Sequence, residues 1–285
     1  MQRLMLLSPA KINLRLEILS KRKDGYHEIE TIFHKISLFD EISIETTSDH
    51  KITLTVDDPA VPSDKTNLVY KAASLLFKSI GINPGIKIDL KKKIPSGAGL
   101  GGGSSNAAIT LTGLNNLLNL KLSKQVLTEI ALRLGADVPF FLTDSTTAYA
   151  SGIGEKIKSI ETFDKMWFLV IFPGFTVSTA WAYKSFSKYN LLTKTTNNNI
   201  INNYTADINT VKSSLYNDFE SVVNKRHPEV TLIKEQLLKT GAQGALLSGS
   251  GSSVFGIYPD EKSAQKASTS IKPRSKQKIF IAQSL

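Results

Sequence analysis

The sequence predicts an α+β protein of two domains, and three observations predict it. The N-terminal stretch up to about residue 60 alternates apolar and polar positions, as half-buried antiparallel strands do. A strand then runs into a glycine-rich segment that opens a helix. Near residue 165 the succession of strands and helices starts again, and a length of 285 residues suits two modest domains. The expected division is 1–165 and 166–285.

The elements follow in chain order. Ile12, Leu14, Leu16 and Ile18 alternate on a strand, and Asp24-Gly25 signals a turn. Extended patterns resume at 29–33, 41–45 and 51–56. Asn67 is a good N-cap for a helix carrying Leu68, Val69, Ala72, Leu75, Leu76 and Ile80 on one face, and Gly81 ends it. Ile86, Ile88 and Leu90 alternate on a strand that leads into the glycine run. Helices are expected over 107–118 and from a cap at Ser123 to a stop at Gly135. In the second half, 167–172 reads as a buried strand and 179–187 as a short helix. The Asn- and Thr-rich stretch 191–210 reads as a loop or mobile insertion. Helices are expected over 215–226, 229–238 and 260–271. Strands are expected over 245–248, 253–258 and 279–282, the first two flanking Gly249-Ser250-Gly251.

Composition narrows the function classes. The chain has no cysteine, so it holds no disulfide and no thiolate metal site, which fits a cytoplasmic setting. The apolar run Leu4 to Leu7 is cut short by Pro9, too short for the core of a signal peptide. No stretch approaches the roughly 20 apolar residues that span a bilayer. The net charge is +10, from 35 basic and 25 acidic residues, and it favours anionic partners. The lysines are scattered apart from Lys91-Lys92-Lys93 and the stretch Lys272 to Lys278, with no basic stripe interleaved with aromatics. Nucleic acid is one candidate and a nucleotide or phosphorylated metabolite another, while a plain solvated basic surface is the commoner meaning of such a balance.

The chemistry centres on Pro95-Ser96-Gly97-Ala98-Gly99-Leu100-Gly101-Gly102-Gly103-Ser104-Ser105. Five glycines between a strand and a helix exceed the one or two that a tight turn needs. They let backbone N–H groups converge on phosphate oxygens, with the helix dipole behind them. Ser104 and Ser105 add hydroxyls for a phosphate or a magnesium ion. Gly97, Gly99 and Gly102 also fit a dinucleotide-binding fingerprint. That reading fails because the strand before the run alternates, and because no acid stands about 20 residues on to hold a ribose. The next acidic residue is Glu129. A P-loop fails because no Gly-Lys-Ser/Thr ends the run, and a protein kinase fails for want of His-Arg-Asp and Asp-Phe-Gly.

The run from Pro95 to Ser105, followed by Asn106-Ala107-Ala108, resembles the nucleotide loop of the GHMP kinases, the superfamily of galactokinase and of homoserine, mevalonate and phosphomevalonate kinases. Pro9-Ala10-Lys11-Ile12-Asn13-Leu14 is similar to its N-terminal motif. Leu247-Ser248-Gly249-Ser250-Gly251-Ser252-Ser253-Val254-Phe255 is similar to its C-terminal glycine motif. Three further segments, Asp24 to Glu28, Gly135 to Phe140 and Asn217 to Glu220, resemble the members that act on a cytidine diphosphate-linked methylerythritol. The resemblance implies an N-terminal domain like ribosomal protein S5 domain 2 and a ferredoxin-like C-terminal domain. It implies ATP as phosphate donor, Mg²⁺, the substrate's 2-hydroxyl as acceptor, and neither a nucleic-acid nor a membrane partner. A monomer or homodimer is expected. A homoserine- or mevalonate-type kinase stands as the alternative.

The resemblance also assigns roles. Phosphoryl transfer needs a positioned hydroxyl, a proton acceptor and positive charge near the transferred group. Asp137 falls on the acceptor, between Gly135 and Pro139, and Lys11 on its electrostatic partner. By residue type alone, an Asp at a helix end is more often structural and a strand Lys solvated; the motifs reverse that. Asn13 is expected to bond the substrate near Lys11. The base is expected between Tyr26 and Tyr183, with His27 reading its edge; a packed core tyrosine is an even alternative for Tyr183. The whole run Pro95 to Ser105 is expected to hold ATP. Ser96 and Ala98 stand where relatives often carry Met and Gly, so Ala98 is expected to keep an ordinary backbone conformation. No glutamate reads as a dedicated magnesium ligand, which leaves the metal to the phosphates, Ser105 and water.

Overall fold

The computed structural model describes residues 2–161, 165–188, 204 and 207–285. The chain divides into two compact units, and it passes between them more than once. The first holds residues 1–10, 39–96 and 101–144; the second holds 11–38, 97–100 and 145–285.

In the first unit the long strands β1 (Arg3–Lys21) and β2 (His27–Thr47) each contribute one end. β3 (Ile52–Val56) runs parallel to β4 (Gly85–Lys91), and β4 pairs antiparallel with β2 in the register Ile42↔Leu90 and Ile44↔Ile88. These alternating residues point inward and are buried, with Ile42, Ile44, Ile86 and Ile88 each fully covered. Helix α1 (Leu68–Ile80) begins where Asn67 Oδ1 accepts the Val69 N–H at 2.9 Å, and stops at Gly81 with φ 70°. Its buried face of Val69, Ala72, Ala73 and Leu76 packs against α2 (Gly102–Leu117). Gly113 lets α2 lie close on the sheet, because a Cβ there would collide with Leu6 and Ile44. α3 (Lys124–Leu132), capped by Ser123, and the single turn α4 (Val138–Phe141) complete the unit.

The second unit contains the other ends of β1 and β2. β5 (Thr147–Ser151) pairs antiparallel with β2 and with β6 (Lys156–Ile160). The short β8 (Tyr216–Asn217) lies parallel to β1 at Arg15 and Leu16. A separate antiparallel sheet has the order β11-β7-β10-β9, built from β7 (Trp167–Phe172), β9 (Gly244–Leu247), β10 (Val254–Tyr258) and β11 (Lys278–Gln283). Helices α5 (Thr179–Lys188), α6 (Ile208–Ser214), α7 (Glu220–Arg226), α8 (Glu229–Lys239) and α9 (Glu261–Ser270) follow in the chain order of the unit. Phe186, Phe219, Val223, Val230, Leu237 and Leu169 share one apolar cluster there.

Several expectations need correction. The two extended stretches 29–33 and 41–45 belong to the one strand β2. The glycines from Gly102 onward are already helical, so α2 begins five residues before the expected start at 107 (107 − 102 = 5). The helix expected over 215–226 is broken: Leu215 ends α6, β8 follows, and α7 starts at Glu220. Asn217 causes the break, since its Oδ1 accepts the Phe219 N–H at 3.0 Å in a turn that competes with helix. Most of 191–210 lies outside the described residues; its last residues enter α6, which Asp207 caps.

His34 is buried in the second unit, with Nδ1 2.8 Å from Thr147 Oγ1 and Nε2 2.9 Å from Ser284 Oγ. Burial pushes its imidazole down to about 3 from 6.5. The folded state therefore holds this proton less tightly than the unfolded chain. The stability it contributes is complete above about pH 6.5 and is lost as the pH falls from there toward 3. Going from pH 7 to pH 5 should cost about 2 kcal/mol at this residue. Urea unfolding at the two pH values checks it, with His34→Asn expected to flatten the slope.

Candidate active site

The glycine run alternates its backbone. Gly97, Gly99 and Gly101 have φ of 63°, 78° and 68°. Ala98 between them stays outside that region, as expected. Glycines at positive φ are the backbone that lets successive N–H groups converge on an anion. No acidic residue lies in the first turn of α2, which begins with Gly102. The run therefore fits a polyphosphate in backbone geometry and in charge.

In the first unit a buried carboxylate holds both flanks of the run. Asp40 Oδ1 accepts the N–H groups of Lys93 and Ile94 at 2.7 and 2.8 Å, just before it. Asp40 Oδ2 accepts from Asn106 Nδ2 at 3.0 Å, just after it, and pairs with Lys92 Nζ. The side chains of Asp40 and Lys92 are 0% and 4% exposed. Asn106 also donates to Ser8 Oγ at 2.9 Å, and Ser8 donates to Ser105 Oγ at 2.8 Å. Ser105 is fully buried in this network, whereas Ser104 is partly exposed. Replacing Asp40 by Asn would take the carboxylate from the buried Lys92 ammonium and leave it the neutral Asn106 Oδ1 at 3.1 Å. Breaking a buried pair in this way should cost about 3–5 kcal/mol, read by urea unfolding at neutral pH.

In the second unit the crest of the run is held by backbone and hydroxyl groups. The Lys11 N–H donates to Leu100 O at 2.9 Å, and the Ser253 N–H donates to Ala98 O at 3.1 Å. Ser248 Oγ donates to Gly99 O at 2.9 Å. The C-terminal glycine segment is itself held by the segment from Asn217 to Glu220. Asn217 Nδ2 donates to Leu247 O and Gly249 O, each at 2.8 Å, and Glu220 Oε1 accepts the Leu247 N–H at 3.0 Å. Ser248 is a contact that sequence reasoning misses: its segment stands out by its glycines, and nothing singles out this hydroxyl among the four serines of 248–253.

Lys11 and Asn13 are both buried on β1. Lys11 Nζ donates to Asn13 Oδ1 at 2.7 Å and sits 5.0 Å from the centre of the Phe33 ring. At the start of β2, His27 stacks on Tyr183 with centroids 4.7 Å apart and planes 16° from parallel. His27 Nε2 lies 2.6 Å from Ser187 Oγ. Burial, helped by Lys21, lowers the imidazole pKa, so the ring is neutral at pH 7. The other edge of Tyr183 meets Phe219 in a T-shaped contact at 4.8 Å. The structure thus brings His27 and Tyr183 together, while Tyr26 is 61% exposed on the turn that Asp24 shapes by accepting its N–H. In the first unit Asp137 stands at the start of α4, and its carboxylate does not cap that helix.

Likeness to known proteins decides the family. Residues 67–145 match the GHMP kinases N terminal domain, and residues 202–274 match the GHMP kinases C terminal domain. A 4-diphosphocytidyl-2-C-methyl-D-erythritol kinase of Geobacter sp. (strain M21) is 45% identical over 273 residues, 95% of each chain. The chain belongs to this family of GHMP kinases. A crystal structure of 4-(cytidine 5'-diphospho)-2C-methyl-D-erythritol kinase superposes with a TM-score of 0.81 at 33% identity, covering 98% of both chains. Homoserine kinase from Cytophaga hutchinsonii superposes at 0.77 with 19% identity, covering 100% of this chain and 95% of that one, and shares the fold. The α+β GHMP kinase fold expected from the motifs is the fold of this chain, and as a GHMP kinase it uses ATP as phosphate donor.

Proposed function

We propose that the protein phosphorylates the 2-hydroxyl of 4-diphosphocytidyl-2-C-methyl-D-erythritol with ATP, a step toward isoprenoid precursors outside the mevalonate route. The observation that carries this reading is the near full-length likeness to the Geobacter kinase. ATP supplies the phosphoryl group, and Mg²⁺ travels with its phosphates and offsets their charge. The backbone N–H groups of Ser96 to Ser104 hold those phosphates, while that of Ser105 donates to Gly101 O at 2.9 Å within the helix. Ser104 and Ser105 are the hydroxyls placed at the start of the helix behind them. Asp137 takes the proton of the 2-hydroxyl as its oxygen bonds to the γ-phosphorus and the bond to the ADP oxygen breaks. Lys11 offsets the negative charge on the transferred group, and Asn13 hydrogen-bonds the polyol.

At the cytidine end Tyr26 supplies the exposed ring for stacking. His27, neutral and held by Ser187, offers a polar edge, and Tyr183 backs it. The family's two domains divide near residue 165. No helix among the described residues is long and apolar enough to cross a membrane. The proposed setting is the cytoplasm, and the proposed state a monomer or homodimer.

The test mixes protein, ATP, Mg²⁺ and the cytidine diphosphate methylerythritol and follows ADP. Tyr26→Ala is expected to raise KM for the acceptor roughly 10–100-fold through lost stacking, with KM for ATP unchanged. An unchanged acceptor KM would remove Tyr26 from the site. Turnover with homoserine or mevalonate, insensitive to added CDP, would overturn the substrate itself.

A further inference from the structure

The Thr31 hydroxyl lies between two partners that leave it one hydrogen-bonding arrangement. Its Oγ1 is 2.6 Å from the Arg15 carbonyl oxygen and 2.7 Å from Asn13 Nδ2. A carbonyl oxygen only accepts, so the Thr31 proton points to Arg15. Thr31 Oγ1 must then accept from Asn13. That decides which way round the Asn13 amide sits: its NH₂ faces Thr31 and its Oδ1 faces Lys11 Nζ at 2.7 Å. A reversed amide would set NH₂ against an ammonium, donor against donor. Thr31 and Asn13 are both 1% exposed, so removing the hydroxyl takes the acceptor from a buried amide donor.

From this relay we propose that Thr31 is a positioning residue for phosphoryl transfer, acting on Lys11 through the polarity of Asn13. The proposal rests on the role given to Lys11 above. Thr31 touches neither substrate; it keeps a hydrogen-bond acceptor beside the Lys11 ammonium and so keeps that charge in place. Among β2 residues, an inward-facing threonine reads as ordinary strand packing, which is why its sequence position does not single it out.

The experiment compares wild type with Thr31→Val, which keeps the shape and removes the hydroxyl, and with Thr31→Ser, which keeps the hydroxyl. Thr31→Ala repeats the measurement without a second methyl. With ATP, Mg²⁺ and the cytidine diphosphate methylerythritol, Thr31→Val and Thr31→Ala should lose roughly tenfold in kcat, the scale of one displaced charge-holding contact. KM for ATP should stay within about twofold, and Thr31→Ser should recover most of kcat. A packing role would make the serine variant fail as the alanine variant does, and that result overturns the proposal. Wild-type kcat in Thr31→Val overturns it as well. Lys11→Met run alongside separates the two readings. If Lys11→Met is inactive while Thr31→Val is normal, only the relay falls. If Lys11→Met turns over normally, the catalytic reading of Lys11 falls and takes the relay with it.

Discussion

Replacing Asp137 by alanine is expected to lower kcat by roughly 10²–10⁴-fold, the range that a positioned general base contributes. The reasoning starts from backbone rather than charge. Asp137 enters α4 in an ordinary helical conformation, with φ −78° and ψ −15°, and Pro139 stands at the start of that turn. The flanking Val138, Pro139 and Phe140 are all buried, so the turn is anchored by its apolar side chains. Removing the carboxylate should therefore leave the fold intact. Nucleotide binding, measured by titration calorimetry with ATP, should change little, because the residues assigned to the phosphates lie on a different segment. Asp137→Asn should fall nearly as far, since an amide accepts no proton. Turnover within tenfold of wild type in both variants would remove Asp137 as the base.

The second large effect is expected at Gly99. Its φ of 78° already disfavours any side chain, at about 1–2 kcal/mol for a residue with a Cβ. Here space adds to conformation. A Cβ would collide with the Ser248 carbonyl oxygen and come within 3.1 Å of Gly251 O, and both are backbone atoms that cannot swing aside. The bond from Ser248 Oγ to Gly99 O would be displaced as well, worth about 1 kcal/mol. Gly99→Ala should thus destabilise by about 2–4 kcal/mol and raise KM for ATP. Gly25 is the control. It has φ 90° but no atom within 4 Å of the place a Cβ would occupy, so Gly25→Ala should cost only the conformational part, about 1–2 kcal/mol. Equal losses at the two glycines in thermal and urea unfolding would show that the contact with Ser248 is unimportant.

How much of this is legible in the sequence depends on the kind of signal. Helix ends with a side-chain or glycine cap read well: Asn67 and Gly81 bound α1, and Ser123 opens α3, because caps act within a few residues of chain. The glycine run is legible because five glycines have few other uses. β5 and β6 are not, since 147–160 carries Gly152 and Gly154 and no clean alternation; pairing with β2 decides its structure. The start of α2 is obscured for a related reason, as glycine is a poor helix former and packing overrides it. In the site, Lys11, Asn13 and His27 stand in motifs. Asp40, Lys92 and Thr31 do not, and nothing marks the Ser248 hydroxyl within its glycine motif, because a buried polar contact has no period and its partner lies far along the chain: 52 residues separate Asp40 from Lys92, and 149 separate Ser248 from Gly99.

Asp40 has a thermodynamic consequence for ligand binding. One carboxylate restrains the chain immediately before the glycine run and immediately after it, so the conformational entropy of that run is largely surrendered when the protein folds. Binding of the nucleotide then meets a loop with little freedom left to lose. Calorimetry of ATP binding should accordingly show a small entropic penalty for wild type. In Asp40→Asn that penalty should grow, weakening affinity even where every backbone N–H that meets a phosphate is still present.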